Sequence, residues 1–361
     1  MSHKKFEFYT TSKEAWEHME KAISKAQSSI YWESYIFLDD EVGKKFIALL
    51  LEKAKKGVEV VLLFDALASY WISKKRILEM QQAGIKIRLF RTHKPLRSLK
   101  DLYHYLRERT HRKILVVDDT MGFVGGVNVS KEHEHWLDLM VKMEGKVCRH
   151  LSRTIAKNYI FSGGAKKDVS HILHPKLEKF KELSFIFQKP GGKKSKIRGA
   201  YLKALRDAKK HVILVTPYYT PEKGFLKEIK NAVKRGVKID LLIPLRTDWK
   251  FLTYIARNYF TLTHQLGVKL HLITQMMHGK ALVVDDKYAI IGSSNIDSTS
   301  FRYNHEANAQ IYQKNAIKKI KGILEHWKKQ YSIKFEFAKW KKRGLWRKIK
   351  KWFYSLFSGE V

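Results

Sequence analysis

His111-Arg112-Lys113-Ile114-Leu115-Val116-Val117-Asp118, followed by Gly125-Gly126 and Asn128, occurs twice in this chain. The second copy is His278-Gly279-Lys280-Ala281-Leu282-Val283-Val284-Asp285, followed by Gly292-Ser293 and Asn295. His, Lys, Asp, the first Gly and Asn all recur at one offset of 167 residues. In each copy Leu-Val-Val is β-prone, and the aspartates behind it supply turn chemistry. His and Lys stand two apart, so a strand sends both to one face. A second strand, Met121 to Val124 or Tyr288 to Ile291, ends at a glycine that allows close backbone approach. Asn128 and Asn295 then return an amide toward the His–Lys face. An ammonium and an amide dipole beside an imidazole suit a bound phosphate.

Outward from the first copy, the preceding chain alternates helix and strand. Apolar spacing predicts helices over 11–27, 41–56 and 73–83, and strands over Ile30 to Phe37, Val58 to Phe64 and Gly84 to Phe90. Gly57 stops the second helix, and the near-continuous apolar run after it is of parallel-sheet type, ending at Asp65. Residues 91–110, basic and aromatic, either rim the first motif or form a solvated basic loop. The same order returns around the second copy. A helix over Ala200 to Ala208, a strand over Val212 to Thr216 and a helix over Phe225 to Lys234 precede Gly236 to Pro244 and Gly267 to Ile273, which mirror Gly57 to Asp65 and Gly84 to Phe90. Gly163-Gly164, Pro175, Pro190-Gly191-Gly192 and lysine clusters mark connecting chain. The expected organisation is therefore a first α/β domain over 1–163, a linker over 164–199, a second domain over 200–335 and a tail over 336–361, with an open sheet and outer helices in each half.

Composition bounds the possibilities. The chain has 361 residues, 44% hydrophobic and 12% aromatic, which describes folded rather than disordered protein. No apolar run reaches the roughly 20 residues that span a bilayer. Met1–Lys5 leads into Phe6-Glu7-Phe8 without an apolar stretch, so no signal peptide is expected. A single cysteine, Cys148, excludes an internal disulfide and a cysteine-based zinc site. A formal net charge of +36 seeks polyanions, either nucleic acid or an anionic membrane. In the tail, Leu345, Trp346, Ile349, Trp352, Phe353 and Leu356 share one helical face, largely opposite Arg347, Lys348, Lys350 and Lys351. That pattern suits a helix in an anionic membrane interface, or a terminal helix on the protein's own core.

The doubled HxKxxxxD with its trailing GGxN or GSxN resembles the phospholipase D superfamily. Ile30-Tyr31-Trp32-Glu33-Ser34-Tyr35-Ile36-Phe37, Thr216-Pro217-Tyr218-Tyr219-Thr220-Pro221 and Gly292-Ser293-Ser294-Asn295-Ile296-Asp297 resemble its cardiolipin-synthase branch. The likeness covers roughly residues 5 to 330. It departs where Thr299 stands in place of an arginine and Met140 in place of a histidine. The fold it implies is two duplicated α/β/α sandwich domains, packed with pseudo-twofold symmetry so that the His–Lys faces meet.

One set alone could only hold phosphate, whereas two facing sets can carry out displacement. One histidine attacks phosphorus, and the other protonates the leaving oxygen and then deprotonates the acceptor. Lys113, Lys280, Asn128 and Asn295 hold the phosphoryl oxygens, so neither metal nor cofactor is expected. Spacing does not say which histidine is the nucleophile; the resemblance favours His111, with His278 as acid/base. It also implies that Asp138 and Glu306 each orient one histidine, and it carries Asp118 and Asp285 within the catalytic set. Their position out of strand parity fits a turn-holding role instead. Glu33 and Asp65, set in apolar strands, are candidates for the floor of the site.

The activity implied is phosphatidyl transfer, two phosphatidylglycerols giving cardiolipin and glycerol. Hydrolysis and nucleic-acid cleavage are the alternatives within the superfamily. The expected partner is an anionic phospholipid surface rather than nucleic acid, met peripherally at a bacterial inner membrane without a transmembrane helix.

Overall fold

Alternation along the central strands decides the layers. The computed structural model describes residues 6–90, 98–190 and 195–336; the tail read as an amphipathic helix lies outside them. The first half runs β1 (Glu7–Thr11), α1 (Ser12–Ser24), β2 (Ser29–Ser34), α2 (Glu41–Lys55), β3 (Glu59–Asp65), α3 (Lys74–Gln82), β4 (Lys86–Phe90), α4 (Leu99–Arg107), β5 (Ile114–Val117), β6 (Met121–Gly125), β7 (Leu137–Glu144), α5 (Arg149–Phe161) and the short α6 (Ser170–Leu173). Ile30 and Trp32 of β2 and Val60, Leu62 and Phe64 of β3 turn toward α1 and α2. Tyr31, Val61, Ile114 and Val116 turn the other way, toward Leu151 and Ile155 of α5. Successive strand residues thus bury both faces of the sheet.

The second half runs β8 (Leu183–Gln188), α7 (Lys196–Asp207), β9 (His211–Val215), β10 (Tyr219–Thr220), α8 (Lys223–Lys234), β11 (Lys238–Pro244), α9 (Lys250–Gln265), β12 (Lys269–Ile273), β13 (Ala281–Val284), β14 (Tyr288–Gly292), β15 (Ile296–Asp297), β16 (Glu306–Ile311), α10 (Lys314–Tyr331) and β17 (Ser332–Lys334). The sheets are ordered β1-β7-β6-β5-β2-β3-β4 and β17-β12-β11-β9-β13-β14-β16-β8. The internal six strands correspond one to one. β2, β3 and β4 are parallel, as are β9, β11 and β12, while the motif hairpins β5–β6 and β13–β14 run antiparallel beside them.

A single apolar core joins the halves. Val116, Leu139, Val141 and Ile155 from the first pack with Ile291, Ala307, Ala309 and Leu324 from the second. The molecule is therefore layered as helices, sheet, shared core with α5 and α10, sheet, helices.

Two sequence expectations need correction. The stretch 164–199 is not simply linker, because β8 within it pairs antiparallel with β16 as the edge of the second sheet. Leu183, Phe185 and Phe187 alternate as a strand requires, but flanking lysines and Pro190 disguised them. Within 91–110, residues 99–107 form α4 rather than loop.

Candidate active site

Both histidines sit where the motif strands begin, at the end of the sheets where the parallel strands finish. Backbone hydrogen bonds stitch the halves there reciprocally. His111 N donates to His305 O at 3.0 Å and His305 N to Arg109 O at 2.9 Å. In the same way His278 N donates to Leu137 O at 2.6 Å and Leu137 N to Met276 O at 3.0 Å. The carboxylates follow the same exchange. His111 Nδ1 lies 3.1 Å from Glu306 Oε1, and His278 Nδ1 lies 2.8 Å from Asp138 Oδ2. Each imidazole is thus oriented by the opposite half, and a proton on Nδ1 leaves the lone pair on Nε2.

The two copies solve the same steric problem differently. Glu306 reaches farther than Asp138 and is steadied by the Ser293 hydroxyl. At the matching position the first copy has Gly126, where a Cβ would lie 2.1 Å from Asp138 Oδ1. Gly279 is likewise obligatory, since its Cβ would lie 2.9 Å from the Trp327 ring. Its counterpart Arg112 has room to bond Gln188 O at 2.8 Å and Glu306 O at 3.2 Å, tying the edge strand to the site.

The buried cationic groups shift one another. Burial, followed by the Lys113 charge, pushes the His111 imidazole down to about 4 against the opposing pull of Glu306. Burial and the charges of Lys280 and Lys113 hold His278 well below the usual imidazole range. Burial and Lys280 depress Lys113 strongly, and burial brings Lys280 down to about 8. Burial favours the neutral form of Glu306, but His111 and Lys113 outweigh it and lower the carboxyl to about 2. Burial raises Asp138. Burial thus disfavours charge on both imidazoles and both lysines, and the lysine charges depress both rings further.

The rings differ in one respect. Lys280 Nζ donates to His278 Nε2 at 2.6 Å and to His278 O at 2.5 Å. Lys113 Nζ donates to His111 O at 2.8 Å and lies 4.7 Å from the Tyr35 ring centre. Among the described residues no hydrogen bond occupies His111 Nε2.

Asn128 and Asn295 are buried beside the strands that end at Gly125 and Gly292. Asn128 Oδ1 accepts from Ile36 N at 3.3 Å, and the Oδ1 of Asn295 is buried with no hydrogen-bond partner among the described residues. Glu33 and Asp65 are fully buried and bond the chain that leads into His111. Glu33 accepts from Thr110 Oγ1 and from Asn158 Nδ2 at 2.5 Å. Asp65 is paired with Arg109 and accepts from Thr110 N at 3.0 Å. Together they fix the segment that delivers His111. Tyr35, with its ring centre 4.8 Å from that of His111, and Tyr218, 6.3 Å from His278, went unassigned by sequence although both lie in the branch-like stretches.

Asp118 and Asp285 do not belong with the catalytic groups. They stand at the opposite ends of β5 and β13, in left-handed backbone at φ 52° and 50°, which aspartate tolerates. Asp118 accepts from the backbone N–H groups of Gln27, Ser28 and Ser29, and Asp285 from those of Lys209, Lys210 and His211. Asp118→Ala is expected to cost about 1–2 kcal/mol of stability. Denaturant melts should show that loss while turnover per folded molecule stays within about twofold.

Fold and site define a class: a duplicated α/β chain in which two imidazoles, two lysines and carboxylates exchanged between the halves come together where the motif strands begin. The chain belongs to the family described as cardiolipin synthase, PLD-like domain, whose model matches residues 19–159 and 201–327. It is 32% identical over 339 residues to the cardiolipin synthase of Geobacillus sp. (strain WCH70), covering 91% of this chain and 67% of that one. It is 31% identical over 319 residues to that of Halalkalibacterium halodurans, covering 85% and 63%. The chain thus spans about two thirds of the length of these curated relatives. The fold is shared with the crystal structure of phosphatidylserine synthase from Haemophilus influenzae Rd KW20, at a TM-score of 0.73 and 14% identity over 91% of this chain and 87% of that one. Polyphosphate kinase from Porphyromonas gingivalis shares it at a TM-score of 0.60 and 14% identity, over 92% of this chain and 48% of that one. Among the described residues no helix is long and apolar enough to cross a membrane.

Proposed function

We propose that the chain is a phosphatidyltransferase of the cardiolipin-synthase type, converting two phosphatidylglycerols to cardiolipin and glycerol. The observation that carries this reading is the exchange of carboxylates between halves, which prepares two neutral imidazoles around one anion site. His111 Nε2 attacks phosphorus. The bond from phosphorus to the glycerol oxygen breaks, and that oxygen takes a proton through Nε2 of His278, which draws it from the Lys280 ammonium bonded to that nitrogen. In the second step the acceptor hydroxyl returns a proton by way of His278 Nε2 to Lys280 and displaces His111, so one phosphodiester is exchanged for another. The free Nε2 supports His111 as nucleophile, and the Lys280 ammonium bonded to His278 Nε2 supports a proton store on the other side. The lysines hold the equatorial oxygens.

The family match and the curated relatives favour a lipid substrate, and the amphipathic pattern of 337–361 together with the net positive charge fits peripheral attachment to an anionic bacterial inner membrane. Purified protein given phosphatidylglycerol liposomes is expected to release cardiolipin and glycerol in equal amounts. His111→Ala and His278→Ala should release neither. Phosphatidic acid as the sole product would make the chain a hydrolase, and cleavage of labelled single-stranded DNA without lipid turnover would make it a nuclease.

The perturbed groups set a pH profile. The nucleophile acts deprotonated, so kcat/KM rises as pH climbs through about 4, where His111 loses its proton. Lys280 acts protonated, so kcat/KM falls as pH climbs through about 8. Lys280→Arg, which stays charged, should move the alkaline limb upward. An alkaline limb that stays at the same pH in that variant rules out Lys280 as its source.

A further inference from the structure

Several of the large apolar side chains exposed among the described residues follow the ends of β3 and β11, in both halves. β3 and β11 each have seven residues, ending at Asp65 and Pro244. Four residues on, Ser69 donates through its hydroxyl to Tyr35 O at 3.0 Å, and Asp248 accepts from the Tyr218 hydroxyl at 2.8 Å. Those are the tyrosines that pack against His111 and His278. Immediately after these anchors come Tyr70-Trp71 and Trp249, with Trp71 63% and Trp249 65% exposed. Two large indoles in solvent, each just past the anchor of a tyrosine that packs on one of the rings, are not explained by packing.

The third exposed apolar element leads straight into His111. Leu99, Leu102 and Leu106 of α4 lie at i, i+3 and i+7, one helical face, and Leu99 is 85% exposed. Arg109, just past α4, bonds Tyr105 O and Asp65, which fixes this helix beside the Tyr70-Trp71 loop. Exposed cations flank the same rim, with Lys74 and Lys75 after the first loop and Arg246 and Lys250 on either side of Trp249. Indoles and leucines bordered by lysine and arginine match the boundary between anionic headgroups and acyl chains.

We infer that this rim, comprising Tyr70, Trp71, Trp249 and the leucine face of α4, is the surface that enters an anionic phospholipid bilayer, with the site facing the lipid. The inference rests on the phosphatidyltransferase reading for its purpose: a donor phosphate then moves between the rings while its acyl chains stay among lipid, and water is kept from the phosphohistidine. It locates the membrane contact on the folded domains, independently of residues 337–361.

The test uses the full chain carrying one polarity-sensitive fluorophore, on Trp71→Cys or Trp249→Cys, with Tyr312→Cys as control. Cys148 is buried and escapes labelling. Tyr312 is exposed but follows β16, which starts at the site with Glu306 and runs away from it. With phosphatidylglycerol vesicles whose acyl chains are brominated, emission at 71 and 249 should shift to the blue and be quenched, and emission at 312 should not. Unchanged emission at 71 and 249 overturns the inference, as does a response at those positions to single-stranded DNA but not to vesicles. In a second arm, Trp71→Ser/Trp249→Ser should lower turnover of vesicular phosphatidylglycerol by about tenfold or more. Turnover of dihexanoyl phosphatidylglycerol dissolved as monomers should be unaffected; equal losses on both overturn the inference. A wild-type chain inactive on either lipid refutes the transferase reading instead, and the fluorescence result still decides the rim.

Discussion

His278→Ala is expected to release a single burst of nitrophenolate from a nitrophenyl phosphodiester, one per enzyme molecule, and then stop. His111→Ala is expected to release none. The difference follows from what each ring supplies. A glycerol oxygen leaves only with a proton, whereas nitrophenolate leaves without one, so the activated ester bypasses the acid. Attack through His111 Nε2 then proceeds, but no base remains to activate the acceptor and the phosphohistidine persists. With the natural lipid donor both variants should lose on the order of 10⁴-fold or more, because neither step can be skipped. Acid-labile phosphate bound to His111 in the trapped variant is the measurement. A burst from His111→Ala with none from His278→Ala exchanges the two roles; equal bursts from both remove the covalent intermediate.

How far the sequence could be read depends on how local each feature is. The His–Lys faces were legible because strand parity and the offset between copies are properties of short segments. The turn role of Asp118 and Asp285 was also legible from parity, and the family motif that groups them with the histidines obscured it. The parallel strands were readable as apolar runs bounded by Gly57, Gly84, Gly236 and Gly267, all of which adopt positive φ. The strand β8 was hidden, because a short apolar pattern among lysines and prolines does not announce a partner as distant in sequence as β16. α4 was hidden for a related reason: Leu99, Leu102 and Leu106 are exposed among the described residues, so their pattern resembles that of a basic loop. The exchange of Asp138 and Glu306 between halves lay beyond any local signal. Resemblance named the two carboxylates, and only the packing of one half on the other pairs them with His278 and His111.

That exchange makes a prediction opposite to what sequence proximity suggests. Asp138 lies 27 residues after His111, yet Asp138→Asn is expected to leave the nitrophenolate burst intact and block turnover. Glu306→Gln, in the distant half, is expected to slow the burst itself by about 10³–10⁴-fold. The cause is the tautomer. A carboxylate accepts from Nδ1–H and keeps the lone pair on Nε2; an amide can donate to Nδ1 and leave the proton on Nε2, where a nucleophile cannot use it. Loss of the negative charge also removes the one interaction opposing the burial and the lysine charges that depress His111, so the acid limb of any residual activity should move below about 4. Rapid-quench measurement of the first turnover separates the two variants. If Asp138→Asn slows the burst and Glu306→Gln spares it, the chemistry runs within each half and the reciprocal pairing is not the working one. If the predicted order is found, a first half without Glu306 has a nucleophile that nothing orients, and a second half without Asp138 has an acid in the same condition. The duplication is then a requirement of the reaction, because each copy completes the other's histidine.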